Sequence, residues 1–567
     1  MNPARWRRAV FIILSTCLLV RVLHLAAAVN SPFLYHPGPD EDYYLRFGMW
    51  VAGLASGDPA EFAFMDPAYG YLLGGIFKML GPGKPVVLAL QAVLDTTTCL
   101  LIALAGRELG RPRAGLMGAT LYALTATAVM YSATFLKATW VANALMLWVF
   151  IGLVLVRQRH AWPWLLFGVY CGYCVALRGN LSLLLPAAIV LLPWVQSAQE
   201  QRRRSIVLQR LGLLMAGMAL PLMALAWRNA DLSGKVSPLP NNGGTVLHQV
   251  YNADNPRAES WYPPFAAYSN PTDIVSGYAA EAERRTGSDL TAGQVDAYWR
   301  NEAFEYIRSN PSTVATSIAR KTLEFASHEE VANNRSLAEE RLFSPVLRTL
   351  PSPFGWLFAL GIPGLILLAW HDRRGWLIIA PLLVVIATFS VFFAEARFRF
   401  HAVPLLALGG GLLLDQLWGF MRAARHKSLA GTFAMVLVFA AVSAWATRQV
   451  PQTGISWDAI AWGYFKMGDL IAAEQVLETP HPGMDITDKW EEALGLLHWS
   501  QGNFEAAARH YRNATELNPV SHVAHYNLAL ALQRTGDING ARRHAALAVS
   551  IAGLPEYVAL QKSLGQP

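Results

Sequence analysis

Eleven stretches of the chain are nearly continuous apolar runs bounded by charged or turn-forming residues: 10–29, 86–106, 114–134, 139–156, 161–177, 181–195, 206–227, 354–370, 375–393, 399–418 and 429–447. A helix needs ~20 such residues to cross a hydrocarbon core, so each run is predicted as a membrane span. Two segments interrupt this pattern. Residues 30–85 alternate amphipathic pieces with turns, and residues 229–352 form a long polar stretch that becomes helical in its second half. After Pro451 the apolar runs stop, which divides the chain into a membrane domain, 1–450, and a soluble tail, 451–567.

The tail has its own rhythm. Gly468, Gly502 and Gly536 recur every 34 residues, as do Ala473, Ala507 and Ala541, and the set Ala461, Gly495 and Ala529. Small residues at that period are the mark of tetratricopeptide repeats, whose paired helices approach closely only where side chains are small. The predicted fold class is thus all-α: a polytopic bundle of about eleven spans followed by a helical solenoid. Such a solenoid binds a protein or peptide partner, or serves as a stabilising cap.

Charge gives the spans a direction. Arg5, Arg7 and Arg8 precede the first run; Arg107, Arg111 and Arg113 follow the second; Arg157 and Arg159 follow the fourth. Arg202, Arg203 and Arg204 follow the sixth, Arg373 and Arg374 the eighth, and Arg422, Arg425 and Lys427 the tenth. With eleven spans every cluster falls on one side, which the positive-inside bias makes cytoplasmic. The residue 30–85 loop, the Arg178-Gly179-Asn180 link, the 229–352 segment, "EARFRF" at 395–400 and the tail then all emerge outside. The expected setting is a bacterial inner membrane, with the amino terminus cytoplasmic and the repeats periplasmic.

Composition agrees. Of 567 residues, 54% are hydrophobic and 15% charged, against ~25% charged for a soluble domain. The net charge of +7 sits in the clusters beside spans, so nucleic acid is not the expected partner. Cys17, Cys99, Cys171 and Cys174 all lie inside apolar runs, which argues against a disulfide framework; Cys171 and Cys174 read as packing residues. The first run resembles a signal peptide but lacks a small-residue cleavage pattern, so it is expected to remain as a span.

One polar stretch stands out. "HPGPDEDYYLRFG" at 36–48 sets Asp40, Glu41 and Asp42 just beyond the first span, followed by aromatic-rich amphipathic pieces suited to an interface. A loop acid beyond a span is often merely solvated. "DEDYYLRFGMWVAGLASGD" and then "DPAYGYLLGGIFKMLG", however, resemble the first outer loop of GT-C glycosyltransferases. That superfamily includes the protein O-mannosyltransferases and the aminoarabinose transferase acting on lipid A. Asp40-Glu41 matches the family's acidic pair. Asp66-Pro67-Ala68-Tyr69 matches its proline-rich stretch, with Asp66 and Ala68 as departures. "ALRGNLSLLLP", "WRN", "NNGGTVLHQVYNADNP" and "EARFRFHAVPLLAL" follow in the family's order, so the resemblance covers roughly residues 10–420.

The resemblance implies inverting transfer of a sugar from a polyprenyl-phosphate carrier to an outer acceptor, with no required cofactor beyond that donor. A carboxylate must take the acceptor's proton, and Asp40 is the candidate base; Glu41 would orient it or the acceptor, or bind an ion. Asp42 reads as a solvated neighbour. Cations must meet the departing phosphate, and Arg178, Arg397, Arg399 and Lys137 are the candidates, with Arg228 weaker. Interfacial snorkelling explains any one of these equally well. Some relatives carry a second acid where this chain has Lys137, so that role is not carried over. Asp66, Tyr69, Asn252 and Asn255 are candidates for acceptor or sugar contact, and Trp261 or Tyr262 could stack on a sugar. His328, Glu329 and Glu330 lack a trusted ligand spacing, so no zinc is expected, while a bound divalent ion stays open.

Two other functions compete. One is a ligase or polymerase using polyprenyl-diphosphate glycans; the other is a transporter or flippase with a scaffold tail. Transport calls for ionisable groups at mid-membrane, where only Asp95 and Asp415 are read. The sugar and the acceptor, whether protein, lipopolysaccharide or exported glycan, stay open.

Overall fold

The computed structural model describes residues 2–35, 38–196, 204–263, 265–266, 271–351, 354–450, 454–479, 481 and 486–565. Arg202 and Arg203 of the basic cluster after the sixth run lie outside the described residues. Among those described, regular structure is entirely helical, with one isolated bridge between Asn333 and Arg335.

Each predicted span has a helical counterpart. Among the described residues eight helices are long and apolar enough to cross a membrane: Pro3–Ala28, Lys84–Glu108, Ala138–Leu155, Arg204–Ser233, Phe354–His371, Arg373–Val391, Ala396–Arg422 and His426–Thr447. The third run is a pair, Pro112–Ala123 and Ala126–Ser132, bent by 64°. Trp162–Leu177 and Gly179–Val195 account for the fifth and sixth as shorter apolar helices.

The bend in the third run shows how an apolar bundle manages freed backbone groups, which cannot stay unpaired in lipid. The Ala126 amide donates to the Pro351 carbonyl at 3.1 Å, and the Arg21 guanidinium donates to the Ala123 carbonyl at 2.6 Å. Arg21 also pairs with Asp95 at 2.7 Å, both side chains fully buried, while the Tyr122 hydroxyl donates to the other Asp95 oxygen. Arg21 is thus a mid-span charge that hydropathy passed over. It supplies Asp95 with a structural partner and removes the main support for a transport pathway there.

Glycine sets the helix contacts. A methyl group on Gly364 would collide with the Gly409 carbonyl, and one on Gly168 with the Leu214 carbonyl. Close approach through small residues is how apolar helices associate without a hydrophobic driving force. Polar contacts then gather the basic ends. Arg157 pairs with Glu108 at 3.2 Å, Arg374 donates to the Glu108 carbonyl at 3.0 Å, and Arg107 lies over the Trp6 ring at 5.0 Å.

The chain forms two compact units. One comprises Met1–Ala27, Asp40–Trp261 and Ala282–Thr453; the other comprises Ala28–Pro39, Tyr262–Glu281 and Gly454–Pro567. In the second unit the 34-residue rhythm has a clear cause. Gly468, Gly502 and Gly536 adopt positive φ at 79°, 77° and 91°, ending one helix. Asp469, Asn503 and Asp537 then cap the next by accepting from the amides of Ala472, Ala506 and Gly540. Ala461, Ala473, Ala507, Ala529 and Ala541 are fully buried between the paired helices.

Candidate functional site

The acidic stretch opens a helix, Pro39–Ala52, with all three carboxylates in its first turn. Negative charge there complements the helix dipole, and Pro39 supplies a preset φ at the start. The helix is held by its aromatic face: Phe47 stacks on Phe62 with centroids 4.9 Å apart, and Tyr44 meets Tyr69 edge-on at 5.0 Å. Asp42 points outward to Arg46 at 3.1 Å and is the most exposed of the three acids. Asp40 and Glu41 turn into the protein.

Three consecutive residues meet three carboxylates there. Asn334 has φ of 59°, a left-handed conformation that asparagine tolerates, and makes a tight turn with Asn333 and Arg335 bridged across it. Asn333 donates to Glu395 at 2.7 Å and Asn334 to Asp40 Oδ2 at 2.8 Å. Arg335 grips Glu41 with both prongs, at 2.9 and 2.7 Å. The backbone fixes this turn to its neighbour through the Ala396 amide, which donates to the Val331 carbonyl at 2.9 Å.

Arg397 completes the cluster. Its Nη1 pairs with Asp40 Oδ2, the oxygen already held by Asn334, and its Nε donates to Glu395 at 2.8 Å. Burial pushes the Glu395 carboxyl up to about 8, against the opposing pull of the Ser260 hydroxyl and the Arg178 charge. Arg178 lies over one ring, Phe398, at 4.1 Å, and Arg397 lies over the same ring at 4.7 Å. No carboxylate pairs with Arg178 among the described residues. Burial lowers its pKa, with Asp66 the strongest charge acting the other way.

Several predicted contacts are otherwise engaged. Glu41 has both oxygens on Arg335 and is 1% exposed. Lys137 pairs with Asp66, whose other oxygen accepts from the Gly179 amide at 2.8 Å; the two candidates hold each other and the outer link. The Tyr69 hydroxyl donates to Gln91 at 3.0 Å inside the core. Asn252 donates to the His248 carbonyl at 2.6 Å, and Asn255 to the Gln249 and Glu259 carbonyls at 2.9 Å each, so both amides shape a turn instead of facing a sugar. Arg399 donates to the carbonyls of Ser327 and Glu329, both at 2.8 Å, and lies 3.7 Å from Glu330. It ties the Ser327 and Glu329 loops together. Arg228 donates to the Phe62 carbonyl at 2.7 Å.

Sequence reasoning missed Asn333, Asn334, Arg335 and Glu395. Glu395 stood in the quoted "EARFRF", where only the arginines were weighed. "NNRS" carried a turn signal and no more.

The fold therefore defines an all-α, multi-pass membrane protein with a helical repeat tail and a buried acidic-basic cluster. The TPR repeat family matches residues 495–536. The comparison with curated proteins gave no match. Among solved structures the chain is similar to the archaeal oligosaccharyltransferase AglB from Archaeoglobus fulgidus in complex with an inhibitory peptide and a dolichol-phosphate. Identity there is 17%, with 85% of this chain and 63% of that chain covered and a TM-score of 0.38. It is also similar to the Archaeoglobus fulgidus oligosaccharyltransferase in the apo form, at 15% identity, covering 89% and 60%, with a TM-score of 0.40. The same enzyme tethered to an acceptor peptide containing the NVT sequon gives 14% identity, 89% and 58%, and 0.42. The chain spans less than two thirds of the length of these proteins.

Proposed function

We propose that the chain is an inverting glycosyltransferase that moves a sugar from a polyprenyl-phosphate carrier to an acceptor hydroxyl at the outer membrane surface. The observation that carries this reading is the junction of Asp40 with Arg397, distant in sequence, beside the guanidinium of Arg178 on the Phe398 ring.

In the reaction, Asp40 takes the proton from the acceptor hydroxyl as its oxygen attacks the anomeric carbon. The new glycosidic bond forms while the bond to the carrier phosphate breaks, and the phosphate leaves with the electron pair. Arg178 and Arg397 face the charge that develops on it. Glu41, Arg335 and Asn334 hold Asp40 in position and touch neither substrate.

Sidedness supports the same reading. Lys137 and Arg157 bracket helix Ala138–Leu155, with Arg157 among the basic ends and Lys137 beside the cluster. If the basic ends are cytoplasmic, the cluster lies at the outer face of the inner membrane and the repeats are periplasmic, ready to hold a protein or glycan acceptor.

The test uses purified full-length protein in detergent or nanodiscs, supplied with polyprenyl-phosphate sugars and membrane or periplasmic acceptors. Sugar-dependent release of polyprenyl phosphate, lost in Asp40→Asn with the fold intact, is the expected result. Equal release by the variant removes Asp40 as the base.

A further inference from the structure

In the structure the candidate base is already occupied. Asp40 Oδ2 accepts from both Arg397 and Asn334, so the carboxylate that must take a proton sits against a full positive charge. An adjacent guanidinium stabilises the ionised carboxylate and makes it a poor proton acceptor. Arg397 is also held from behind, since Glu395 fixes its Nε at 2.8 Å and leaves the Nη side to exchange partners. Arg178 shares the Phe398 ring with it and pairs with no carboxylate among the described residues, so an anion arriving there meets two guanidinium groups, of which Arg397 is engaged by Asp40.

We propose that Asp40 and the donor's phosphate compete for Arg397, so that seating the donor lipid releases the base. The inference rests on the reading of Asp40 as base and of Arg178 and Arg397 as phosphate ligands. The phosphate takes Nη1 of Arg397 while Glu395 keeps Nε, and Asp40 retains only the neutral Asn334 donor. Its proton affinity rises when a sugar is in place to be attacked. Without donor, the base stays locked to Arg397, and the acceptor meets a carboxylate that cannot activate it. Donor binding thus precedes acceptor activation. Glu395 is the positioning residue of this exchange: it holds the arginine by one nitrogen while the other changes partner.

Competition predicts an outcome that a structural ion pair does not. Full-length protein would be titrated with polyprenyl phosphate, the reaction product, in native, Asp40→Asn, Arg397→Gln and doubly substituted forms. Removing the Asp40 charge should tighten polyprenyl phosphate binding by about tenfold, and the gain should shrink to below about twofold when Arg397→Gln is also present. No tightening, or the same tightening in both backgrounds, overturns the competition; the second result would mean a general field effect. If Asp40→Asn does not fold, Asn334→Asp serves instead. It adds a rival carboxylate at the same spot and should weaken binding several-fold, and unchanged binding overturns the proposal equally. Turnover separates the two readings. Lost turnover without tighter binding in Asp40→Asn leaves the base in place and removes the exchange, whereas retained turnover removes the base.

Discussion

Glu41 and Arg335, 294 residues apart in sequence, meet in a two-pronged ion pair with side-chain exposures of 1% and 5%. The pair fastens the start of the Pro39–Ala52 helix to the turn that carries Asn334, and so holds Asp40 in place. Breaking a buried pair from one side leaves an unpaired charge. Glu41→Gln should therefore lower unfolding free energy by about 3–5 kcal/mol. Replacing both partners, as Glu41→Gln with Arg335→Met, should lose less than the two single changes summed. Thermal unfolding of the four proteins in one detergent checks this, and additive losses would show that the pair is not coupled.

Helix packing yields a second prediction. Gly364 and Gly409 lie where helices Phe354–His371 and Val403–Arg422 cross, with no room for a side chain. Gly364→Ala should destabilise by about 1–3 kcal/mol, as overpacking does in a close-packed interior. Gly419, where an added Cβ meets nothing within 4 Å, is the control: Gly419→Ala should leave the unfolding midpoint unchanged or slightly higher.

These contacts show what could be read beforehand. Hydropathy is a local property, so all eleven apolar runs were visible, as was the repeat, whose glycines and alanines recur at a fixed period. The break in the third run was not visible, because it depends on Arg21 and Pro351 reaching distant backbone groups. Asp40 became a candidate through the family resemblance of its stretch, since a carboxylate just beyond a span is often merely solvated. Arg335 and Asn334 were not legible, as their meaning comes from partners 294 residues away. Arg397 and Arg399 looked equivalent in sequence. Two residues apart on a helical turn, they project in nearly opposite directions, one to Asp40 and the other into loop carbonyls.

Glu340 predicts a pH effect. Burial raises its carboxyl to about 7, and Arg335 at 3.7 Å only partly offsets this. The unfolded chain releases that proton near the ordinary value of about 4.3, so between about 4.3 and 7 the folded state binds more protons. Stability from this group is therefore full below that window and declines as pH rises through it. Glu395, raised to about 8, acts in the same direction. Unfolding midpoints measured from pH 4.5 to 8 should fall more steeply for the native protein than for Glu340→Gln. Parallel curves would mean that Glu340 titrates normally.

The two outer arginines can be told apart by what fails when each is removed. Both are buried, but Arg178 rests on the Phe398 ring with no carboxylate partner among the described residues, whereas Arg399 holds the carbonyls of Ser327 and Glu329. Removing one preorganised donor from a developing anionic charge typically slows turnover by about 10²–10³-fold. Arg178→Gln should therefore lower donor turnover by about that factor while the unfolding midpoint stays nearly constant, because no ion pair is broken. Arg399→Gln should do the reverse, since it strips buried carbonyls and Glu330 of their partner, and any loss of activity should follow the loss of folded protein. Turnover per folded molecule, paired with thermal unfolding, separates the cases. If the folded molecules of Arg399→Gln turned over as slowly as those of Arg178→Gln, Arg399 would have to reach the phosphate after all, and the division of labour drawn from their geometry would fail.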